Sequence, residues 1–221
     1  MGAAFMCGRQ CAWRIFAFQQ ALSAPIAKLP VENSAAITSK RYRMDDRLIR
    51  DIPIIERKAA EHETENLHFR SFLKGRLNWS DGRLDAAVQE TTDRVWEHID
   101  CRQCANCCRT MQVEVDDDDI ARLASHLSLT VDEFHEAYVA MAVFGEKVLK
   151  TQPCVFLDAD NKCSVYDNRP AVCRDFPYLH AKDFRSRTYM MIDNTAVCPI
   201  VFNVWDELKE DLWRSRRRRS P

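Results

Sequence analysis

The sequence predicts an α+β fold, mostly helical, with a small irregular β-hairpin element organised around a cluster of cysteines. Three observations carry this expectation. Apolar residues recur at helical spacing before residue 100 and again after residue 199. Short segments on either side of the polar stretch 158–162 read as two brief strands and their turn. Eight of the ten cysteines in the 221 residues fall within 101–198.

The elements follow in order. Asp51-Ile52-Pro53 marks a helix entrance, with proline at an early position, and that helix is expected to run to about Lys74, where Gly75 supplies a stop. A second helix is expected over 84–99, where Leu84, Val88, Val95, Trp96 and Ile99 share one apolar stripe. It would deliver the chain to Cys101. Met111-Gln112-Val113-Glu114-Val115 alternates as a half-buried strand does. Asp116, Asp117, Asp118 and Asp119 open a helix through Ala121, Leu123, Ala124 and Leu127, and first-turn acids complementing the helix dipole explain them better than a cation site. Thr130-Val131-Asp132-Glu133 is a capping-box signature before Phe134, Ala137 and Tyr138. Segment 154–166 reads as the hairpin, and Arg169-Pro170-Ala171-Val172-Cys173-Arg174 as a brief helical turn closed by Phe176-Pro177. A last helix follows Pro199, with Ile200, Val201, Val204, Trp205, Leu208 and Leu212 facing inward.

Residues 1–43 read as a flexible or leader-like extension, 44–213 as one cysteine-cluster domain, and 214–221 as a basic tail. Within the domain, 51–99 is a helical lead-in, 100–200 the cysteine core and 200–213 the terminal helix. The formal net charge of −1 hides an asymmetry, because 1–43 sets six basic side chains against Glu32 alone and the tail adds five arginines. The body between them is acidic, which excludes nucleic acid as the main partner. No apolar run approaches the roughly 20 residues a membrane span requires, so no transmembrane segment is expected. Disulfide frameworks belong mainly to short secreted chains, so cysteines in these numbers point to metal in a reducing compartment, the cytoplasm. Cys7 and Cys11 stand far from the cluster and are left outside the site.

Cys101, Cys104, Cys107 and Cys108 crowd into eight residues, and Cys154, Cys163, Cys173 and Cys198 follow. Two residues between cysteines let the chain turn so that both sulfurs face one centre, a device shared by zinc and iron–sulfur sites. Iron–sulfur cubanes take three such cysteines and a distant fourth, often in a Cys-Pro pair, and Cys198-Pro199 suits that role beside Cys101, Cys104 and Cys107. Adjacent side chains diverge, so Cys107 and Cys108 are not expected to share one mononuclear metal. Eight thiols suffice for two four-coordinate sites or for one cluster with spare thiols, and spacing alone leaves both open. His98 is near enough to be a ligand, though a polar surface residue is the expected reading, as for His126, His135 and His180. Arg169 and Arg174 either donate to thiolate sulfur or pair with Asp167 and Asp175 around a turn, while Tyr166 and Phe176 are expected in the core. There is no phosphate-cradling glycine loop, nucleophile elbow or H-E-x-x-H, so no catalytic residue is assigned beyond the cysteines.

The run 101–108, the segment Pro153-Cys154-Val155-Phe156-Leu157-Asp158, and the stretch 162–177 from Lys162-Cys163 through Arg169-Pro170 to Phe176-Pro177 resemble the YkgJ-type cysteine-cluster family. The resemblance reaches Cys198-Pro199 and covers roughly residues 98–200. It implies a zinc- or iron-chelating domain, often labelled an iron–sulfur oxidoreductase, with Cys101, Cys104, Cys107, Cys108, Cys154, Cys163, Cys173 and Cys198 as metal ligands. The implied cofactor is an iron–sulfur cluster, of the 4Fe-4S kind, or zinc, with an unidentified redox or protein partner. A structural zinc module presenting a protein-interaction surface is the alternative. The cysteine pattern is also distantly similar to that of flagellin lysine N-methylases, whose long additional regions have no counterpart here.

Overall fold

The computed structural model describes residues 47–215; the expectations for 1–43 and for the tail after Ser215 lie outside these residues. Helix α1 (Ile52–Glu61) begins where the Asp51 carboxylate accepts the Ile54 amide at 2.9 Å, with Pro53 in the first turn, where a missing N–H costs nothing. The single helix expected over this region is two. At His62 (φ −96°, ψ 7°) the backbone leaves the helical basin before α2 (Glu63–Gly75). The break serves two packing directions: α1 buries Ile55 and Ala59 and packs on the C-terminal helix, while α2 buries Phe69 and Leu73. The Phe69 ring meets Trp205 edge-on at 5.2 Å between centroids.

Helix α3 (Asp81–Trp96) starts three residues before the expected point because the Ser80 hydroxyl caps it, accepting the Arg83 amide at 3.3 Å. Leu84, Val88 and Val95 are buried as the stripe requires, and Ile99 is buried just beyond the helix end. Two short turns follow, α4 (Cys101–Cys104) and α5 (Asn106–Thr110), hinged at left-handed Ala105 (φ +50°). Helix α6 (Asp117–His126) is capped by Asp116, whose carboxylate accepts the Asp119 amide at 2.7 Å. In α7 (Val131–Tyr138) both halves of the capping box form, Thr130 amide to Glu133 Oε2 at 2.8 Å and Glu133 amide to Thr130 Oγ1 at 3.2 Å.

The sheet is small and lies elsewhere than the sequence suggested. Strands β1 (Val139–Met141) and β2 (Lys147–Leu149) pair antiparallel, Val139 opposite Leu149 and Met141 opposite Lys147. Segment 111–115 runs along β2: the Val115 amide donates to the Lys147 carbonyl and the Leu149 amide to the Val113 carbonyl, both at 2.9 Å. Its alternation holds, with Val113 and Val115 buried and Glu114 exposed. The hairpin expected over 154–166 shrinks to one bridge, Leu157 to Cys163, around a loop in which the Asp158 amide donates to the Lys162 carbonyl at 2.8 Å.

After a single 3-10 turn at Tyr166–Asn168 come α8 (Ala171–Asp175), α9 (Thr188–Asn194) and α10 (Pro199–Lys209), which continues through a wider turn at Glu210–Arg214. Helix α9 escaped the sequence reading because two of its buried residues, Thr188 and Asn194, are polar. The inner face of α10 is buried as expected. Arg214, read from the sequence as the start of the tail, belongs to the folded body: it pairs with Glu65 at 2.7 Å and Asp206 at 3.2 Å. Lys209, 1% exposed, joins the same network through Glu65 and Asn66, each at 3.0 Å.

Two apolar cores result. One gathers α2, α3 and α10 around Phe69, Leu84, Val95, Ile99 and Trp205. The other gathers Val113, Ile120, Leu123, Phe134, Leu149 and Phe156. The run 101–108 leaves the first core at Ile99 and reaches the second at Val113. Among the described residues, no helix is long and apolar enough to cross a membrane.

Candidate metal centre

All eight cysteines between residues 101 and 198 line one cavity of about 350 Å³. All are free thiols. Asp100 starts α4 by accepting the Arg102 amide at 3.0 Å, and the left-handed turn at Ala105 reverses the chain between Cys104 and Cys107. The buried Asn106 side chain then donates to the Val197 carbonyl at 2.8 Å, fastening this turn beside Cys198. On the other side the Cys154 amide donates to the Cys108 carbonyl at 2.8 Å. Arg109 spans the two, donating to the Cys104 carbonyl at 2.8 Å and to the Asn161 side chain. Cys173 rides on α8, whose first amide, from Ala171, donates to the Asp119 carboxylate at 3.1 and 3.2 Å. Asp119 is 3% exposed and pairs with Arg122, which also donates to the Arg169 carbonyl at 3.2 Å.

Burial sets the thiol chemistry. It pushes Cys198 up to about 12, with the charges of Cys104 and Cys101 adding, while the Val201 and Ile200 amides at the start of α10 oppose it by donating to the sulfur. Cys173 is likewise pushed up to about 12, first by burial and then by Cys108, Cys154 and Cys163, with Arg169 opposing. Cys154 and Cys163 are raised by burial and eased by backbone donors, Phe156 and Leu157 for the first and Val165 for the second. Cys101 is raised by burial of its thiol and by Asp100, against Arg169 and Arg102. The Cys107 and Cys108 sulfurs stand 4.0 Å apart, in thiol hydrogen-bond contact. That hydrogen bond raises Cys107 and lowers Cys108, which Arg109 also favours as thiolate.

The donor set fits a soft metal. Sulfur is the ligand of choice for zinc and iron–sulfur centres, and amide N–H groups pointing at Cys154, Cys163 and Cys198 are the donors that stabilise metal-bound thiolates. The Asn194 side-chain amide, buried and on a residue lining the cavity, has no hydrogen-bond partner among the described residues. The sulfurs share a cavity without converging on a point: among the described residues, no three cysteine, histidine or carboxylate side chains are gathered as a single ion needs. Thiols become ligands only as thiolates, so a metal that gathers these sulfurs must displace their protons.

Residues 100–199 match the CxxCxxCC family. Its description reads "Putative zinc- or iron-chelating domain". A curated protein of Methanocaldococcus jannaschii, named as uncharacterized, is 35% identical over 81 residues, taking in 35% of this chain and 43% of its own length. The match therefore spans less than half of that relative. No solved structure matches the chain.

Within the CxxCxxCC segment several side chains depart from expectation. Tyr166, expected in the core, is 36% exposed and stacks under the Arg169 guanidinium at 4.0 Å. Phe176 does pack against the first core, edge-on to Tyr178 at 5.9 Å. Arg169 donates to the Tyr166 carbonyl at 2.7 Å and Arg174 to the Arg169 carbonyl at 2.6 Å, so these bonds shape the turn, while the Arg169 charge reaches Cys101, Cys163 and Cys173. His98 is exposed and lies off the cysteine cavity, on a wider cleft of about 810 Å³ that Cys101 and Cys104 also line. Asn106, Arg109 and Asn194 went unread, since nothing in the sequence tells a buried asparagine from a surface one.

Proposed function

We propose that this protein is a metalloprotein whose cysteines hold an iron–sulfur cluster with redox capacity. The observation that supports it most is the meeting of eight thiols, from α4, α5, α8, the cap of α10 and the 154–163 loop, on one cavity. The cluster form is favoured by Cys101, Cys104 and Cys107 in one short run with Cys198-Pro199 held beside it through Asn106. Such a cluster supplies electron transfer. The chain's own share is to fix the sulfurs, exclude bulk water and set the charge around them through backbone amides, Arg102, Arg109 and Arg169. Exposed Cys101, at the mouth of the wider cleft, marks the side from which a redox partner approaches. Free thiols suit the reducing cytoplasm. Residues 44–213 form the metal-binding domain in this reading.

A structural zinc module is the second reading, favoured by the thiols' position at the seam of two cores, where closed four-sulfur sites would lock one to the other.

Anaerobic purification separates them. Brown protein with iron and sulfide in equal amounts supports the cluster, and colourless protein with tightly held zinc supports the module. Cys104→Ser is expected to lose metal and thermal stability, and Cys7→Ser to lose neither. Protein free of both metals overturns both readings.

A further inference from the structure

We infer that the eight thiols form two adjacent four-sulfur centres, Cys101, Cys104, Cys107 and Cys198 in one and Cys108, Cys154, Cys163 and Cys173 in the other, parted between neighbouring Cys107 and Cys108. The inference rests on the reading above that thiolates hold the metal, and adds how they divide.

Packing makes the first cut. Cys198 is part of the first core, together with Ile99, which leads directly into Cys101. Cys154, Cys163 and Cys173 pack against the second core. The run 101–108 crosses from one to the other, so its early cysteines stand on the side of Cys198 and its last on the side of the later three.

Backbone tethers make the same cut. The Asn106–Val197 bond joins the turn carrying Cys104 and Cys107 to Cys198. The Cys154–Cys108 backbone bond and the Leu157–Cys163 bridge join Cys108 to the 154–163 loop. The Asp119 carboxylate anchors α8 and hence Cys173.

Position and ligand number agree. Cys107 and Cys108 are held from opposite sides of the run, the first beside the Asn106–Val197 tether and the second through the Cys154 amide. Their 4.0 Å sulfur separation makes those centres neighbours. Four sulfurs complete either a closed zinc site or a cubane cluster. Arg109 belongs to the seam, donating to the Cys104 carbonyl and to the Asn161 side chain.

Whole-chain Cys198→Ser, Cys173→Ser and the double variant, purified anaerobically and assayed for metal per chain, test the division. Each single variant is expected to keep about half of the parent's metal and the double variant none, because each substitution opens one four-ligand site. A single variant that loses all metal, or either that loses none, overturns it. Should a variant fail to fold by circular dichroism, native mass spectrometry of the parent under graded chelator replaces it: two release steps support the division and one step overturns it. A parent chain carrying no metal sinks the metalloprotein reading itself, a result distinct from the rest.

Discussion

Asn106 and Val197 are joined by a hydrogen bond of 2.8 Å, from the side-chain amide of the first to the carbonyl of the second. The bond closes 91 residues of chain and sets the turn between Cys104 and Cys107 beside Cys198. Asn106→Ala is expected to cost about 1–2 kcal/mol, since it removes a buried bond and leaves a carbonyl without its partner. Metal should also leave faster from this variant. Thermal unfolding and chelator-release rates check both parts.

Asp119 does similar work for Cys173. Its buried carboxylate pairs with Arg122 and receives the Ala171 amide at the start of α8. Asp119→Ala leaves the Ala171 amide without its acceptor and takes one from the Arg122 guanidinium, which keeps the Asn168 and Arg169 carbonyls, at a cost of about 1–3 kcal/mol. Urea unfolding measures this, and a change within experimental error would remove Asp119 from the account.

Thiol protonation sets a pH dependence. Cys173 and Cys198 stand at about 12 in the folded chain against an ordinary 9.0. Between these values the metal-free native chain binds more protons than the unfolded chain, so its stability falls as pH climbs from 9.0 toward 12 and is fully retained below 9.0. Metal uptake strips the same protons and therefore tightens with rising pH. Urea midpoints of the metal-free chain across this range check the first statement, and competition with a chelator checks the second.

Asn194 separates the metal-free from the loaded state. Its buried amide has no hydrogen-bond partner among the described residues, and burying such a group costs about 1–3 kcal/mol. Asn194→Leu, similar in shape, is expected to leave the metal-free chain equally or more stable and to destabilise the loaded chain, in which this amide is expected to donate to a bound thiolate. Paired melting curves decide, and equal losses in both states would contradict the role.

Elements with local signals were legible in the sequence. Asp51, Asp116, Thr130 with Glu133, and Pro199 each announce a helix through a few neighbouring atoms, and each helix is there. The break at His62 was hidden because it answers to two distant packing partners and not to a glycine or proline. The β1–β2 pairing was hidden too, because its tip carries exposed Val143 and Phe144 where a polar turn is the usual cue. The polar loop at 158–162 sent the expected hairpin there, and one bridge formed. At the site, the clustering of cysteines and the family resemblance picked out the eight residues whose side chains line the cavity. Their supporting shell stayed dark: the meaning of Asn106, Arg109, Asp119 and Asn194 depends on contacts 52 or more residues away, or on burial.

The most direct measurement counts alkylated thiols by intact mass on anaerobically prepared protein, before and after a chelator strips its metal. The eight cysteines of 101–198 should resist until the metal is gone. Immediate alkylation of all ten in the folded, untreated protein would contradict the claim that these sulfurs hold metal.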